Sequence, residues 1–216
     1  HSTARKLAAA ALAEDPSSVG IVVIGFSEAV TGQLQSALAA ALLAGAFRLP
    51  ASRDEPAPPR LRRAQVFDAR AGFDAARIKA EAEGNNLARW LTALPPNVLD
   101  AAAYRQLATE LAEREGWGHR FLDEKALARK GAGAFLAVSQ GNASRDAGII
   151  KLSWRPGAKK APPALTLVGK GICFDTGGNN LKPFKGMLDM HEDMQGSAVA
   201  LGLLLTLTRL GYPEPV

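Results

Sequence analysis

The sequence has a single cysteine, Cys173, among its 216 residues. No internal disulfide can form, so a reducing compartment is the natural setting and a cytoplasmic localisation is expected. Aromatic residues are scarce at 6%, and Ala, Leu and Val carry most of the apolar mass. No run approaches the roughly 18 consecutive apolar residues of a membrane span. The longest, around Leu201–Leu207, is broken by Gly202 and Thr206, so no membrane partner is expected. The segment from His1 to Ala13 lacks the succession of charged, apolar and small stretches that makes a secretion signal. Neither sign of charge dominates: 26 Lys and Arg face 21 Asp and Glu, for a formal net charge of +5. The basic residues are scattered. Only Arg60, Arg62 and Arg63 cluster, in a proline-rich stretch with no aromatic side chain on which a base could stack, so DNA binding has thin support.

What is present reads as an ordinary folded chain. Hydrophobic residues make up 47% and charged residues 22%, which excludes wholesale disorder. The length suits one large domain or two small ones. The chain opens on His1 and ends on Pro213-Glu214-Pro215-Val216. An extended ending after a helix ordinarily leads to another strand, so the sequence is expected to be a piece of a longer protein.

Patterning predicts alternating helices and strands and hence an α/β sheet. Val19–Phe26 reads as a buried parallel strand. A helix capped by Thr31 is expected to run to about Ala44 and stop at Gly45. Leu49–Arg63, with Pro50, Pro56, Pro58 and Pro59, reads as a linker or surface loop, and Gln65–Asp68 as a short strand. Asp74–Ala93 is predicted helical and ends before Pro95 and Pro96. Asp100 is expected to cap a helix to Glu115 that Gly116 stops. His119–Leu122, Ala134–Val138, Ile149–Trp154 and Leu165–Val168 are strand candidates. Glu124–Lys130 and about Met194 to Leu210 are predicted helices. A division at about residue 70 is expected. Residues 1–70 would form a partial N-terminal α/β domain with its linker, and 71–216 the N-terminal portion of a catalytic domain.

Chemistry concentrates in Val168–Gly202, VGKGICFDTGGNNLKPFKGMLDMHEDMQGSAVALG. Lys170, Asp175, Lys182 and Asp193 lie on glycine-rich loops between an apolar run and a long helix, where α/β sites collect. Asp175 and Asp193 could share a divalent cation. Simpler motifs fail on these residues. The GxxxxGK[ST] of a phosphate loop is absent, as is a GxSxG nucleophile elbow, because Ser197 lies in Gly196-Ser197-Ala198. Cys173 sits in an apolar run without a nearby base and reads as a structural thiol rather than a nucleophile. Asp193, just before a helix, could also be no more than its cap.

The same stretch resembles the metal-binding core of the leucyl aminopeptidase family, the M17 cytosol aminopeptidases. Its VGKGxxFDxGG, the following LKP and the DM before a small-residue helix are all matched. Asn86–Asn97 (NLARWLTALPPN) and Phe135–Gly141 (FLAVSQG) with Ile150–Trp154 extend the likeness over about residues 74–210; residues 1–70 rest on position alone. The resemblance implies an incomplete aminopeptidase catalytic domain with a central mixed sheet flanked by helices. It also implies two divalent ions, Mn2+ or Zn2+. Lys170, Asp175 and Asp193 would be ligands, Asp175 the one shared between the two ions. Lys170 would coordinate as the neutral amine. Lys182 would stay protonated as the catalytic residue that stabilises the oxyanion. Met190 would line the pocket for the first side chain of the substrate, which fits a leucine-like preference. Asp175 and Asp193 would also face the substrate. His191 and Glu192 fall at variable positions and are not expected to be ligands.

The implied activity is release of N-terminal amino acids from peptides by metal-activated water. Family members are commonly homo-hexamers. The family's remaining ligands lie in a downstream NTDAEGR-like motif, whose Arg holds a bicarbonate in the full-length enzyme. The present sequence does not contain that motif, so the 216-residue chain is expected to be inactive. The alternatives are a DNA-binding member and a non-catalytic structural member of the same family. Joint retention of Lys170, Asp175, Lys182 and Asp193 argues against the second.

Overall fold

The computed structural model describes residues 1–50, 60–158 and 161–216. The expected loop at Leu49–Arg63 therefore lies largely outside the described residues. The described chain is α/β, and it divides into two compact units, His1–Trp90 and Leu91–Val216.

In the first unit, α1 (Ser2–Ala13), β1 (Ser18–Ile21), α2 (Glu28–Gly45) and β2 (Arg63–Val66) are followed by α3 (Ala75–Thr92), whose last residues pass the division. β1 and β2 pair in parallel, from Ser18 opposite Arg63 to Ile21 opposite Val66. Ala8, Ile21, Ala39, Leu42 and Ile78 form the core. Gln35 is buried on α2, and its amide saturates the turn after β2. Nε2 donates to the Phe67 and Asp68 carbonyls and Oε1 accepts from the Arg70 amide, all at 3.1 Å, so burying the amide leaves no polar group unpaired.

Two expectations for this unit need correction. The strand expected over Val19–Phe26 ends at Ile21, because β2 offers only four partners. Val22, Ile24 and Phe26 are 64%, 80% and 60% exposed. Thr31 does not cap α2. The helix starts one turn earlier, after Ser27, with Glu28 in the first turn, where its charge complements the helix dipole, and Thr31 is buried inside it.

The second unit contains α4 (Ala101–Glu115), β3 (Gly118–Asp123), α5 (Glu124–Arg129), α6 (Gly133–Ser139), β4 (Gly148–Ser153), α7 (Phe184–Met187) and α8 (Gln195–Arg209). Asp100 caps α4 by accepting from the Ala103 amide at 2.8 Å. Gly116 closes the helix at φ 69. There the Trp117 amide reaches back to the Ala112 carbonyl at 2.8 Å, the six-to-one bond of a Schellman end. Buried Trp117 then donates from Nε1 to Thr208 Oγ1 at 2.8 Å, tying α4 to α8. β3 and β4 are antiparallel, from Gly118 opposite Ser153 to Asp123 opposite Gly148.

Two strand expectations are overturned here. Ala134–Val138 is helical, within α6. A short apolar run does not distinguish the two periods, and Ser139 Oγ ties this helix to Glu124 Oε1 on α5 at 2.6 Å. Leu165–Val168 pairs with no strand among the described residues, and Val168 is 92% exposed. The segment is held instead at its ends. The Ala164 amide donates to the Pro215 carbonyl at 2.9 Å, and the Lys170 carbonyl accepts from the Ser197 amide at 2.8 Å. Among the described residues no helix is long and apolar enough to cross a membrane.

Candidate metal centre

The site is built where the segment Gly169–Gly171 passes close to the start of α8. A Cβ on Gly169 would stand 2.4 Å from Ser197 Cα, and one on Gly196 would stand 3.1 Å from the Lys170 nitrogen. Only hydrogens fit between the two backbones. That approach sets Lys170 opposite Asp193, with Nζ 2.7 Å from Oδ1.

Asp193 ends the short 3-10 turn Met190–Glu192. It does not cap α8, which has no side-chain cap. One of its oxygens takes the Lys170 ammonium; the other, Oδ2, is buried with no hydrogen-bond partner among the described residues. Orphaned buried carboxylate oxygens are rare and call for an explanation.

Asp175 stands on the preceding loop. Its Oδ1 accepts from the Gly177 amide at 2.9 Å and its Oδ2 from Lys182 Nζ at 2.8 Å. Gly177 and Gly178 take φ 91 and 71, the left-handed region that lets the loop double back. The Lys182 amide then closes it on the Thr176 carbonyl at 2.9 Å. The Lys182 hydrogen bond holds the Asp175 carboxyl below its ordinary range, with help from the Gly177 amide and from the charges of Lys182 and Lys170. Lys182 Nζ also lies 2.8 Å from Met190 Sδ, so Met190 and Lys182 adjoin.

The structure thus brings Lys170 to Asp193, and Lys182 to both Asp175 and Met190. A buried carboxylate oxygen without a hydrogen-bond partner among the described residues, beside a lysine nitrogen that a cation would have to deprotonate, is a pair that suits a borderline divalent cation. Among the described residues no three His, Cys, Asp or Glu side chains cluster as a metal site, so such a cation would depend on the Lys170 nitrogen. Cys173 is half-buried, and its thiol is pushed up to about 11, chiefly by burial, with Asp100 and Asp146 adding to the shift. A thiol that stays protonated at neutral pH is a poor nucleophile.

Tyr104 and Ser197, which no motif in the sequence singles out, are hydrogen-bonded beneath this site at 2.9 Å. No sequence signal relates positions so far apart. Burial pushes the Tyr104 phenol up to about 12.

The profile of the cytosol aminopeptidase family, catalytic domain, matches residues 86–216, more than half of the chain. The chain belongs to that family. A "probable cytosol aminopeptidase" of Corynebacterium diphtheriae is 44% identical over 130 residues, covering 60% of this chain and 25% of that protein. Another, from Desulfovibrio desulfuricans, is 38% identical over 172 residues, covering 77% and 34%. Among solved structures, the bottromycin maturation enzyme BotP in complex with Mn aligns with TM-score 0.76 and 27% identity, over 99% of this chain and 46% of that one. The cytosol aminopeptidase of Coxiella burnetii aligns with TM-score 0.73 and 26% identity, over 93% and 41%. A tomato leucine aminopeptidase mutant, at TM-score 0.81 but 23% identity, shares the fold over 97% of this chain and 41% of its own. The chain spans about a quarter to a third of the length of these two curated relatives.

Proposed function

We propose that the protein to which this sequence belongs is a two-metal aminopeptidase that releases N-terminal amino acids, with a leucine-like preference. The observation that carries the reading is Asp193, paired through one oxygen with Lys170 while the other lies buried and unpartnered among the described residues. Lys170, Asp175 and Asp193 would hold divalent ions, manganese or zinc. When bound, such ions supply an acidified water and a polarised carbonyl.

The remaining work falls to the chain's own side chains. Lys182, paired with Asp175 at 2.8 Å, would present a positive charge to the site; its side chain is 28% exposed. An ammonium held in place by a carboxylate needs little rearrangement to meet a developing oxyanion. Met190, in contact with that ammonium, offers an apolar, adaptable wall for the first side chain of a peptide. Asp175 and Asp193 would bound the same space and meet the peptide's amino terminus.

The domain assignment of 1–70 and 71–216, the homo-hexamer, the cytoplasmic setting and a bicarbonate in the full-length enzyme belong to the same proposal. The match to a peptidase family gives no support to the DNA-binding alternative.

The 216-residue chain carries only three of the donors, too few to hold two ions well. It should therefore leave leucine p-nitroanilide intact with manganese added, whereas the full-length parent should hydrolyse it. Turnover by the purified 216-residue chain would overturn the inactivity of this piece, and a parent without turnover would overturn the aminopeptidase reading.

A further inference from the structure

The hydroxyls of Tyr104 and Ser197 take part in none of the steps above, yet they sit where the two arms of the site are joined. Ser197 lies in the first turn of α8. Its amide donates to the Lys170 carbonyl at 2.8 Å and to the Met194 carbonyl at 3.0 Å. Its Oγ donates to the same Met194 carbonyl at 2.7 Å. The single serine proton is thereby committed, so the 2.9 Å contact with Tyr104 is donated by the phenol. Tyr104 is 8% exposed, and the bond is made largely out of water, where its loss is felt most.

Ser197 is thus bonded to the backbone of Lys170 on one side and to Met194, the neighbour of Asp193, on the other. Gly169 and Gly196 keep the two strands of chain at the closest approach a backbone allows. We infer that Tyr104 and Ser197 are positioning residues: the Tyr104 hydrogen bond fixes Ser197, whose amide holds the Lys170 carbonyl and whose amide and hydroxyl hold the Met194 carbonyl, and so keeps the amine and the carboxylate at the separation at which they act on one cation. This rests on the reading of Lys170 and Asp193 as ligands given above. Partners of this kind behind a ligand set typically govern metal affinity by tenfold or more.

The test uses Mn2+ alone as probe and the full-length parent protein, with binding followed by electron paramagnetic resonance and folding by thermal melting. Tyr104→Phe removes one hydroxyl and keeps the ring. Ser197→Ala removes both bonds of the serine oxygen, and Ser197→Thr restores a hydroxyl. Tyr104→Phe and Ser197→Ala should each weaken Mn2+ binding about tenfold, the double variant no further than Ser197→Ala alone, and Ser197→Thr should recover most of the loss. Folded Tyr104→Phe and Ser197→Ala chains that bind Mn2+ as tightly as the parent chain, with only the melting temperature lowered, would overturn the inference while leaving the ligand reading intact. An Asp193→Asn chain that binds like the parent chain, or a parent chain that takes up no Mn2+, would overturn the ligand reading and this inference with it.

Discussion

Tyr104 is the residue whose chemistry the fold changes most visibly. Its phenol, ordinarily ionising near 10, is pushed up to about 12 by burial. Between those pH values the unfolded chain has lost the proton and the folded chain keeps it. The folded state therefore binds more protons, and stability falls as pH rises from 10 to 12. A rise of that size corresponds to roughly 2–3 kcal/mol, all of it retained below pH 10. Urea titrations across this range should show that decline in the parent chain and little of it in Tyr104→Phe. Phenolate absorbance should show a delayed ionisation that is lost in Tyr104→Phe. At this scale the pairs Lys170–Asp193 and Lys182–Asp175 join residues that one contiguous, glycine-rich stretch of the sequence brings to attention. Tyr104 lies outside that stretch, and its importance comes from a fold that carries α4 to the start of α8.

Helix ends are the most legible elements. Asp100 and Gly116 bracket α4 as their chemistry dictates: an acidic side chain on a free amide, and a residue without a Cβ in the left-handed region. Asp100→Ala and Gly116→Ala should each lower stability by about 1 kcal/mol, measurable as a shift of the urea midpoint. Strands are harder. β3 and β4 lie within a residue or so of where patterning places them, but Ala134–Val138 and Leu165–Val168 depart from it for different reasons. The first is a seven-residue helix too short for its period to declare itself. The second has the composition of a strand but no partner among the described residues, and pairing is a property of two segments rather than one. Thr31 misleads because a serine one turn earlier can begin the same helix. The close approach of the two backbones at Gly169 and Gly196 explains why a run with no strand partner among the described residues still delivers Lys170 to one place.

For the molecule as a whole, α/β class and family are open to a reader of the sequence, because the motif that carries them is contiguous. The division between Trp90 and Leu91 is not, since nothing in the composition of α3 marks it. In the second unit the amide and carbonyl of Val216 are both bonded to Trp154, at 3.0 and 2.9 Å, and fully buried Pro215 receives the Ala164 amide at 2.9 Å. Removing Pro215 and Val216 should cost roughly 2–4 kcal/mol, at about 1 kcal/mol for each of three bonds, and a truncated chain that melts unchanged would refute this. A purification tag fused straight after Val216 therefore begins at a residue stitched into the body of the unit, whereas exposed His1 leaves room for one.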